Sequence, residues 1–569
     1  MVSVHHAKLL LVTLVLALLP YWGSTVVAGA EPPKDYTAPP KPSPAAVNAA
    51  AQPTPVPSQS AATQAAPRPF FIQEYRVTGS KILSPAEIGD TVYPFLGPGR
   101  TLDDVDHARA ALEKVYHDKG YQTVSVVIPQ QEGRGGVVFL EVIEAKVGRL
   151  RVKGSRYYSL DAIRRAVPSI AEGKVPNFND LTRETIALNQ WPDRRVTPAL
   201  KPGIEPGTYD IDLNVKDTFP LHGSVELNNR YSPDTTQLRL NAGISYGNLW
   251  QLGHAAGFSF QVAPENPHDA KVFSGYYLAR LPGVEWLTLT LQVTKQDSNV
   301  STLGGAAVAG KGETVGLRAG FTLPPLKNYI HSLTLGIDYK HYEQEVLFGL
   351  DTTSTPTSYY PVSLVYNGSW IGMPGKDEKF LPYSTSLDAG LYFHYRGMGS
   401  SETSFDNSRF KASGGFIYFR GDLSHEHDLP GGFQVMAKLQ GQIASGPLLS
   451  AEQFSAGGLS SVRGYLEGEV PGDNAIVGSI ELRSPSLIQW LNKTGEWRFY
   501  TFFEGGYVTI NEPLPEQESH WKLASIGAGS SIRLFDHLNG SIDAGLPLIS
   551  QSHTSARDWL FTFRVWADF

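Results

Sequence analysis

Several short stretches of the chain carry residue types that could do chemistry. Gly243-Ile244-Ser245-Tyr246-Gly247 has the G-x-S-x-G spacing of a nucleophile elbow. An elbow needs a sharp strand-to-helix turn that lifts the serine out of a sheet. Ser245 instead sits inside an alternating strand pattern, which argues against an esterase. Gly305 to Gly310 with Lys311 resembles a phosphate loop, but Gly312 stands where a Ser or Thr must hold the magnesium ion. His425-Glu426-His427 could ligate a metal, yet it lacks the H-E-x-x-H spacing that sets two histidines on one helical face. It reads as a solvated turn. The chain has no cysteine, which excludes disulfides, thiolate zinc sites and Cys nucleophiles. These stretches predict no catalytic residues, no metal and no cofactor, hence no enzyme.

The informative stretch is Leu459-Ser460-Ser461-Val462-Arg463-Gly464-Tyr465, inside a long Gly-rich segment opened by Glu452-Gln453-Phe454. An arginine beside a glycine is by itself a solvated loop residue. The strand carrying Phe502-Phe503-Glu504-Gly505-Gly506 changes that reading. Alternation puts Phe499, Thr501, Phe503 and Tyr507 on one face and Arg498, Tyr500, Phe502 and Glu504 on the other. The first set suits lipid, so Glu504 points into a lumen. If the Gly-rich loop folds back into that lumen, Arg463 can meet Glu504. A guanidinium–carboxylate pair can be bidentate, which fixes geometry as well as adding energy. It would hold the loop at a defined depth.

The elements that must position this pair are strands. Of 569 residues only 18% are charged, 56 are Gly, and Tyr, Phe and Trp number 26, 26 and 10. The net charge of −7 leaves no electrostatic footprint for nucleic acid. From about residue 218 to 569, segments of roughly ten residues alternate apolar with polar or small side chains. Examples are Leu238–Leu249, Ala255–Val262, Glu285–Thr294, Ser332–Tyr342, Ser384–Tyr395, Gly432–Ile443 and Gly478–Leu482. Sixteen such segments can be counted. Strand-plus-connection lengths of about 22 residues suit a membrane β-barrel with short turns on one side and longer loops on the other. Connections at 343–358, 371–382, 398–408 and 446–472 are the candidate surface or lumen loops. The chain stops on an amphipathic strand whose Trp559, Phe561, Phe563, Val565, Ala567 and Phe569 share one face. Phe569 is the expected assembly signal.

The N-terminal part supplies an address, a spacer and two small domains. Lys8 precedes the apolar run Leu9 to Leu19, and Ala28-Gly29-Ala30 follows as an A-x-A-like cleavage site. Residues 1–30 are therefore expected to be a signal peptide. Residues 31–69 contain eleven of the 40 prolines and should form an extended tether. Tyr75-Arg76-Val77-Thr78-Gly79-Ser80 then recurs as Leu150-Arg151-Val152-Lys153-Gly154-Ser155. In the first copy Ser84, Pro85 and Glu87 open a helix with a capping box. Thr101 opens a second, whose Val105, Ala108, Leu112 and Val115 fall on one face. Strands at Thr123–Ile128 and Val137–Ile143 close the unit. In the second copy Ser159 opens one helix, Leu181 to Trp191 make another, and Arg195–Leu200 and Tyr209–Val215 are strands. Domains at 70–147 and 148–217, each β-α-α-β-β, are expected. Their exposed sheet edges could take up an extended peptide as an added strand.

With these residues in view, the chain resembles the two-partner secretion transporters, the outer-membrane pores that export haemolysins and filamentous adhesins. Val462-Arg463-Gly464-Tyr465 matches the family's loop-tip motif, and Phe502-x-Glu504-x-Gly506 its barrel-wall F-x-D-x-G partner. Gly120-Tyr121, Pro129-x-Gln131 and Val142-Ile143-Glu144 match its first-domain pattern. Asn189, Pro202-Gly203 and Pro206-Gly207-Thr208 match its second. Glu504 stands where the family usually has Asp, and Ala145 where it has Gly. The resemblance implies two periplasmic POTRA domains and a 16-stranded barrel in the Gram-negative outer membrane. It implies that a dedicated exoprotein (adhesin, haemolysin or contact-dependent toxin) with an N-terminal secretion domain is caught unfolded and passed through the pore. It further implies outer-membrane lipid and the barrel assembly machinery as partners. A barrel-insertion factor of the same superfamily is the alternative.

Overall fold

The computed structural model describes residues 69–131, 134–298, 310–326, 328–348, 351–374, 380–488, 495–515, 517–535 and 537–569. The expected signal peptide, nearly all of the tether and the 305–309 part of the phosphate-loop look-alike lie outside them. The described chain divides into two units between Phe219 and Pro220.

The C-terminal unit is a closed barrel of antiparallel strands running from Leu221–Asn228 to Leu560–Asp568. Asp351–Tyr359 and Val362–Gly372 both pair with the long strand Tyr329–Phe348, one above the other, so they share one wall position and the barrel has sixteen. The 343–358 stretch, expected as a connection, is therefore mostly strand extending past the barrel rim. The 398–408 stretch likewise contains a short helix, Glu402–Ser408, capped by Ser401. Closure joins the first and last strands from Arg564↔Asn228 to Asp568↔Ser224. Beyond that ladder, the Asn229 side chain donates to the Phe561 carbonyl at 2.8 Å and accepts from the Phe563 N–H at 2.7 Å. A side-chain amide thus continues the backbone pairing. Arg564 pairs with Glu226 across the same seam at 2.8 Å.

Alternation along the strands sorts the two faces. In Gly495–Thr509, Phe499, Phe503 and Tyr507 are 44%, 56% and 42% exposed, while Tyr500, Phe502 and Glu504 are 8%, 5% and 3% exposed. Buried Asn241, Gln261, Thr290, Thr334 and Asp338 face inward elsewhere; Ile244, Phe258, Leu291, Leu335 and Ile443 face out. An apolar outer band around a polar interior is the pattern lipid imposes, since every backbone group must be paired within the wall. On the last strand Phe561 and Val565 are exposed, as are Trp559 and Phe569 at its two ends. Phe569 and Gly223 exchange backbone hydrogen bonds of 3.0 Å, and the Phe569 ring fills the place a Cβ on Gly223 would take. Ser245 lies mid-strand in Arg239–Leu249, with no helix after it. His425 and His427 project from one face of strand Phe416–Asp428 and Glu426 from the other, so the three cannot converge on one ion.

The N-terminal unit holds two copies of one topology. The first has β1 (Phe70–Ile72), β2 (Glu74–Thr78), α1 (Pro85–Val92), β3 (Gly97–Arg100), α2 (Leu102–Asp118), β4 (Val124–Val127) and β5 (Val137–Glu144). Its sheet order is β2-β5-β4, with β2 parallel and β4 antiparallel to β5; β1 and β3 pair separately. The second copy has β6 (Lys146–Lys153), α3 (Leu160–Arg165), α4 (Phe178–Leu188), β7 (Arg194–Pro202) and β8 (Thr208–Asp217). It repeats the mixed sheet as β6-β8-β7. Ser84 and Glu87 form the expected capping box on α1, and Thr101 forms one with Asp104 on α2. Along α2 the fully buried aromatic is Tyr116, with Val115 only partly covered. Helix α4 begins before Leu181 because Asn177 accepts from the N–H groups of Asn179 and Asp180. It stops short of Trp191 because Asn189 turns out to bond β7.

The repeat extends below the level of sequence identity. Gly79 (φ +83°) and Gly154 (φ +87°) each turn left-handed after the first strand, where a Cβ would lie 2.2 Å from the Val142 carbonyl oxygen and 2.4 Å from that of Val215. Only glycine fits both demands. In each copy a carboxylate at the end of the last strand then caps the turn. Glu144 accepts from the N–H groups of Lys81 and Ile82 at 2.7 and 2.9 Å. Asp217 accepts from those of Arg156 and Tyr157, both at 2.8 Å, and from the Ser155 hydroxyl.

On β8, Asp212 accepts from Lys153 at 2.7 Å, Lys201 at 3.0 Å and Arg151 at 2.9 Å, so one carboxylate ties all three strands of the second sheet. The Lys153 and Lys201 ammonium groups hold its pKa well below the carboxylate range. Burial opposes the charged form of Asp217, but the Tyr157 and Arg156 N–H groups and the Ser155 hydroxyl outweigh it and lower that pKa too. Depressed folded-state values mean that both groups stabilise the sheet above the unfolded carboxylate pKa of about 3.9, and that this is lost as pH falls through the folded values. Asp212→Asn should therefore lower hydrogen-exchange protection of residues 146–217 in the full-length protein at neutral pH. The gap to the wild type should shrink below about pH 4.

Candidate functional site

The connection between strands Gln434–Ala444 and Asn474–Arg483 turns back into the barrel. Phe454–Ala456 and Val470–Gly472 pair as a small ribbon, and the tip lies between them. Arg463, at that tip, is 8% exposed. Its Nε and Nη2 donate to Glu504 Oε1 at 2.8 and 2.6 Å, and its backbone N–H donates to Glu504 Oε2. The structure thus brings Arg463 of the inward loop onto Glu504, the residue that strand parity places facing the lumen.

Two further carboxylates share the guanidinium. Arg463 Nη1 lies 2.8 Å from Glu481 and 3.2 Å from Asp543, on two other wall strands. The Tyr500 hydroxyl donates to Asp543 at 2.9 Å, Ser479 donates to Glu504 at 3.1 Å, and Arg483 pairs with Glu481 at 2.6 Å. The guanidinium plane sits over the Phe502 ring at 3.6 Å. Three wall carboxylates therefore converge on one loop cation. Glu481 and Asp543 escaped the sequence reading, although each is a charged residue flanked by outward-facing apolar ones, Ile480 and Leu482 or Ile542 and Ala544.

The other motif residues make room for this contact. Val462 is fully buried with Val477, Val508 and Leu523; a Cβ on Gly506 would lie 3.0 Å from Val477 and 3.7 Å from Val462. Gly464 (φ +91°) passes so close to the wall that a Cβ on Gly545 would lie 2.5 Å from its nitrogen. The Tyr465 hydroxyl reaches the Ile549 carbonyl at 2.7 Å. Glu467 pairs with Arg230 at 2.7 Å, and Glu469 accepts from Thr554 at 2.5 Å. The tip is thus seated by backbone proximity as well as by charge.

The small N-terminal domains have partly occupied edges. Val126 on edge strand β4 gives its N–H to Glu113 at 3.1 Å, and the Val124 carbonyl lies 3.0 Å from His117. On edge strand β7, Asn189 both donates to and accepts from the Val196 backbone, at 2.9 and 2.6 Å. Pro198 and Pro202 on the same strand lack N–H groups. On these two edges, β4 and β7, the room for strand addition is therefore narrower than the sheet order suggests. Gln131 closes a similar two-way bond with Phe139.

Residues 70–145 match the family described as POTRA domain, ShlB-type. Residues 375–532 match the family described as haemolysin secretion/activation protein ShlB/FhaC/HecB. The outer membrane transporter CdiB of Dickeya dadantii is 22% identical over 448 residues, 77% of this chain and 76% of that protein. CdiB of Escherichia coli is 24% identical over 530 residues, 89% of this chain and 82% of that protein. The heme/hemopexin transporter protein HuxB of Haemophilus influenzae is 21% identical over 500 residues, 84% of this chain and 86% of that protein. Among solved structures, CdiB from Escherichia coli superposes with a TM-score of 0.64 at 22% identity, covering 90% of this chain and 93% of that one. BamA from Haemophilus ducreyi lacking POTRA domains 1–3 gives 0.52 at 16% identity, covering 88% and 100%. Both show the same fold.

The tip contact makes a steric prediction. Gly545→Val should push the loop tip off the wall without breaking the barrel, because the added carbons meet the Gly464 backbone while the outward face is untouched. Single-channel recording should then show larger or more frequent openings than the wild type. A heat-modifiable gel shift should remain.

Proposed function

The chain belongs to the two-partner secretion transporters of the outer membrane, and from that premise we propose how its own residues carry an exoprotein across. The barrel spans the outer membrane, with POTRA structure on the periplasmic side as in this family. Its partner is a secreted exoprotein. We infer that this partner is an adhesin, haemolysin or contact-dependent toxin with an N-terminal secretion domain, captured while unfolded. The repeat at 148–217 acts as a second POTRA domain; its support is the shared mixed sheet and the matched glycine turns and carboxylate caps. Residues 1–30 direct export, 31–69 tether, 70–147 and 148–217 catch the partner, and 218–569 conduct it.

The observation that carries this reading is the Arg463 cluster. One loop cation faces three wall carboxylates. In the resting state it seats loop 446–472 in the lumen. A polar interior can solvate an extended backbone that lipid would reject, and no nucleotide is needed to move a chain that folds outside. The lumen carries no catalytic residues in this reading, and no cofactor. Phe569, paired to Gly223 at the seam, serves as the signal read by the assembly machinery, and the aromatic outer band meets lipid. The insertion-factor alternative is less favoured, because the matched relatives are transporters.

Removing one member of a buried ion network leaves uncompensated charge, at a cost of about 3–5 kcal/mol. Arg463→Ala should abolish or strongly reduce export of the co-expressed exoprotein while the barrel still inserts. Glu504→Ala should act in the same direction but less severely, because Glu481 and Asp543 remain, and Glu504→Asp should retain most export. Full export by both alanine variants would remove the proposed role. Deleting the gene should leave the exoprotein in the periplasm, with other outer-membrane proteins at normal levels. A general loss of those proteins would point to the insertion factor instead.

A further inference from the structure

The inward loop is held at a second place, at its root. Glu452 opens the loop and is 1% exposed. Its Oε1 accepts from Lys340 Nζ at 2.5 Å and from the Tyr359 hydroxyl at 2.8 Å, and its Oε2 accepts from the Tyr418 hydroxyl at 2.7 Å. Its backbone carbonyl accepts from Arg420 at 3.2 Å and Gln442 at 3.1 Å. These donors stand on strands Tyr329–Phe348, Asp351–Tyr359, Phe416–Asp428 and Gln434–Ala444. The partners of Arg463 stand on Asn474–Arg483, Gly495–Thr509 and Leu538–Pro547. The two sets share no strand.

The far end of the loop joins the same root. Gln442 Nε2 donates to the Asp473 carbonyl at 3.1 Å as well as to that of Glu452. The Asp473 carboxylate accepts from Gln453 Nε2, Leu448 N–H, Arg409 Nη2 and Asn511 N–H at 3.0, 2.9, 2.8 and 2.7 Å. A buried carboxylate supplied with one cation and two phenol donors is well satisfied; with those donors gone, it would be left charged and short of partners. We propose that Glu452 is a positioning residue that clamps the loop root to the wall independently of the tip, so that the tip can leave its carboxylates while the root keeps its place. The role in transport rests on the reading of the loop given above; the clamp itself does not.

The native chain has no cysteine, so single cysteines report cleanly. Ala451→Cys marks the root and Val462→Cys the tip; both parent side chains are buried. In full-length protein in native membranes, Glu452→Gln should speed maleimide labelling of the root site about ten-fold or more, the factor that loss of about 1.4 kcal/mol gives. The tip site should stay protected. Arg463→Ala should do the reverse. A root site that stays closed in Glu452→Gln, or a variant that opens both sites together, would overturn the independent clamp. If Glu452→Gln yields no heat-modifiable barrel, the double variant Tyr359→Phe with Tyr418→Phe decides the matter, since it removes two donors and keeps both rings. Root opening there supports the clamp, and no opening overturns it. Exoprotein export is measured on the same cells. Normal export with the root open would sink the loop's role in transport while the labelling pattern still establishes the clamp.

Discussion

A single guanidinium facing three carboxylates inside a closed wall is the constraint on which the rest of the structure turns. Arg463 cannot be buried alone, and neither can Glu481, Glu504 and Asp543. Their mutual need fixes where the loop goes. It also explains the small residues around the contact. Gly464 and Gly545 let two backbones approach, and Gly506 leaves space for Val462 beside Val477. Phe502 gives the guanidinium an apolar floor. Each of these choices is costly elsewhere in a strand and useful here.

The wall supplies the opposing requirement. Lipid tolerates no unpaired backbone, so the barrel must close, and the first and last strands do so through a short ladder lengthened by the Asn229 amide. A closed wall with a polar interior offers a loop many possible resting places. Charge at the tip and a buried carboxylate at the root choose one of them. The clusters stand on different wall strands, which is why a change at one need not pass to the other.

The small N-terminal domains solve a different problem with the same means. Each is too small to rely on apolar burial alone. Each therefore spends a carboxylate, Glu144 or Asp217, on capping the turn after its first strand, and side chains such as Glu113 and Asn189 on covering an edge. Guarded edges limit pairing with wrong partners and leave a narrower place for the right one.

Much of this was legible in the residues. Alternation of period two reports which side chains share a face, so the chain alone marks Glu504 as inward and Phe503 as outward. The capping box of α1 and the repeat at Gly79 and Gly154 were equally local. The extension of Tyr329–Phe348 beyond the rim has no local signal, because it depends on a partner strand; the early start of α4 at Phe178 has one, the N-cap residue Asn177. Glu481, Asp543 and Glu452 are scattered over the last hundred-odd residues, and Lys340 lies far upstream. Composition, period and turn chemistry are properties of neighbours in the chain, so the sequence determined strands, caps and faces. Which distant charges meet is decided by the registers that close the barrel, and only the tertiary structure sets those.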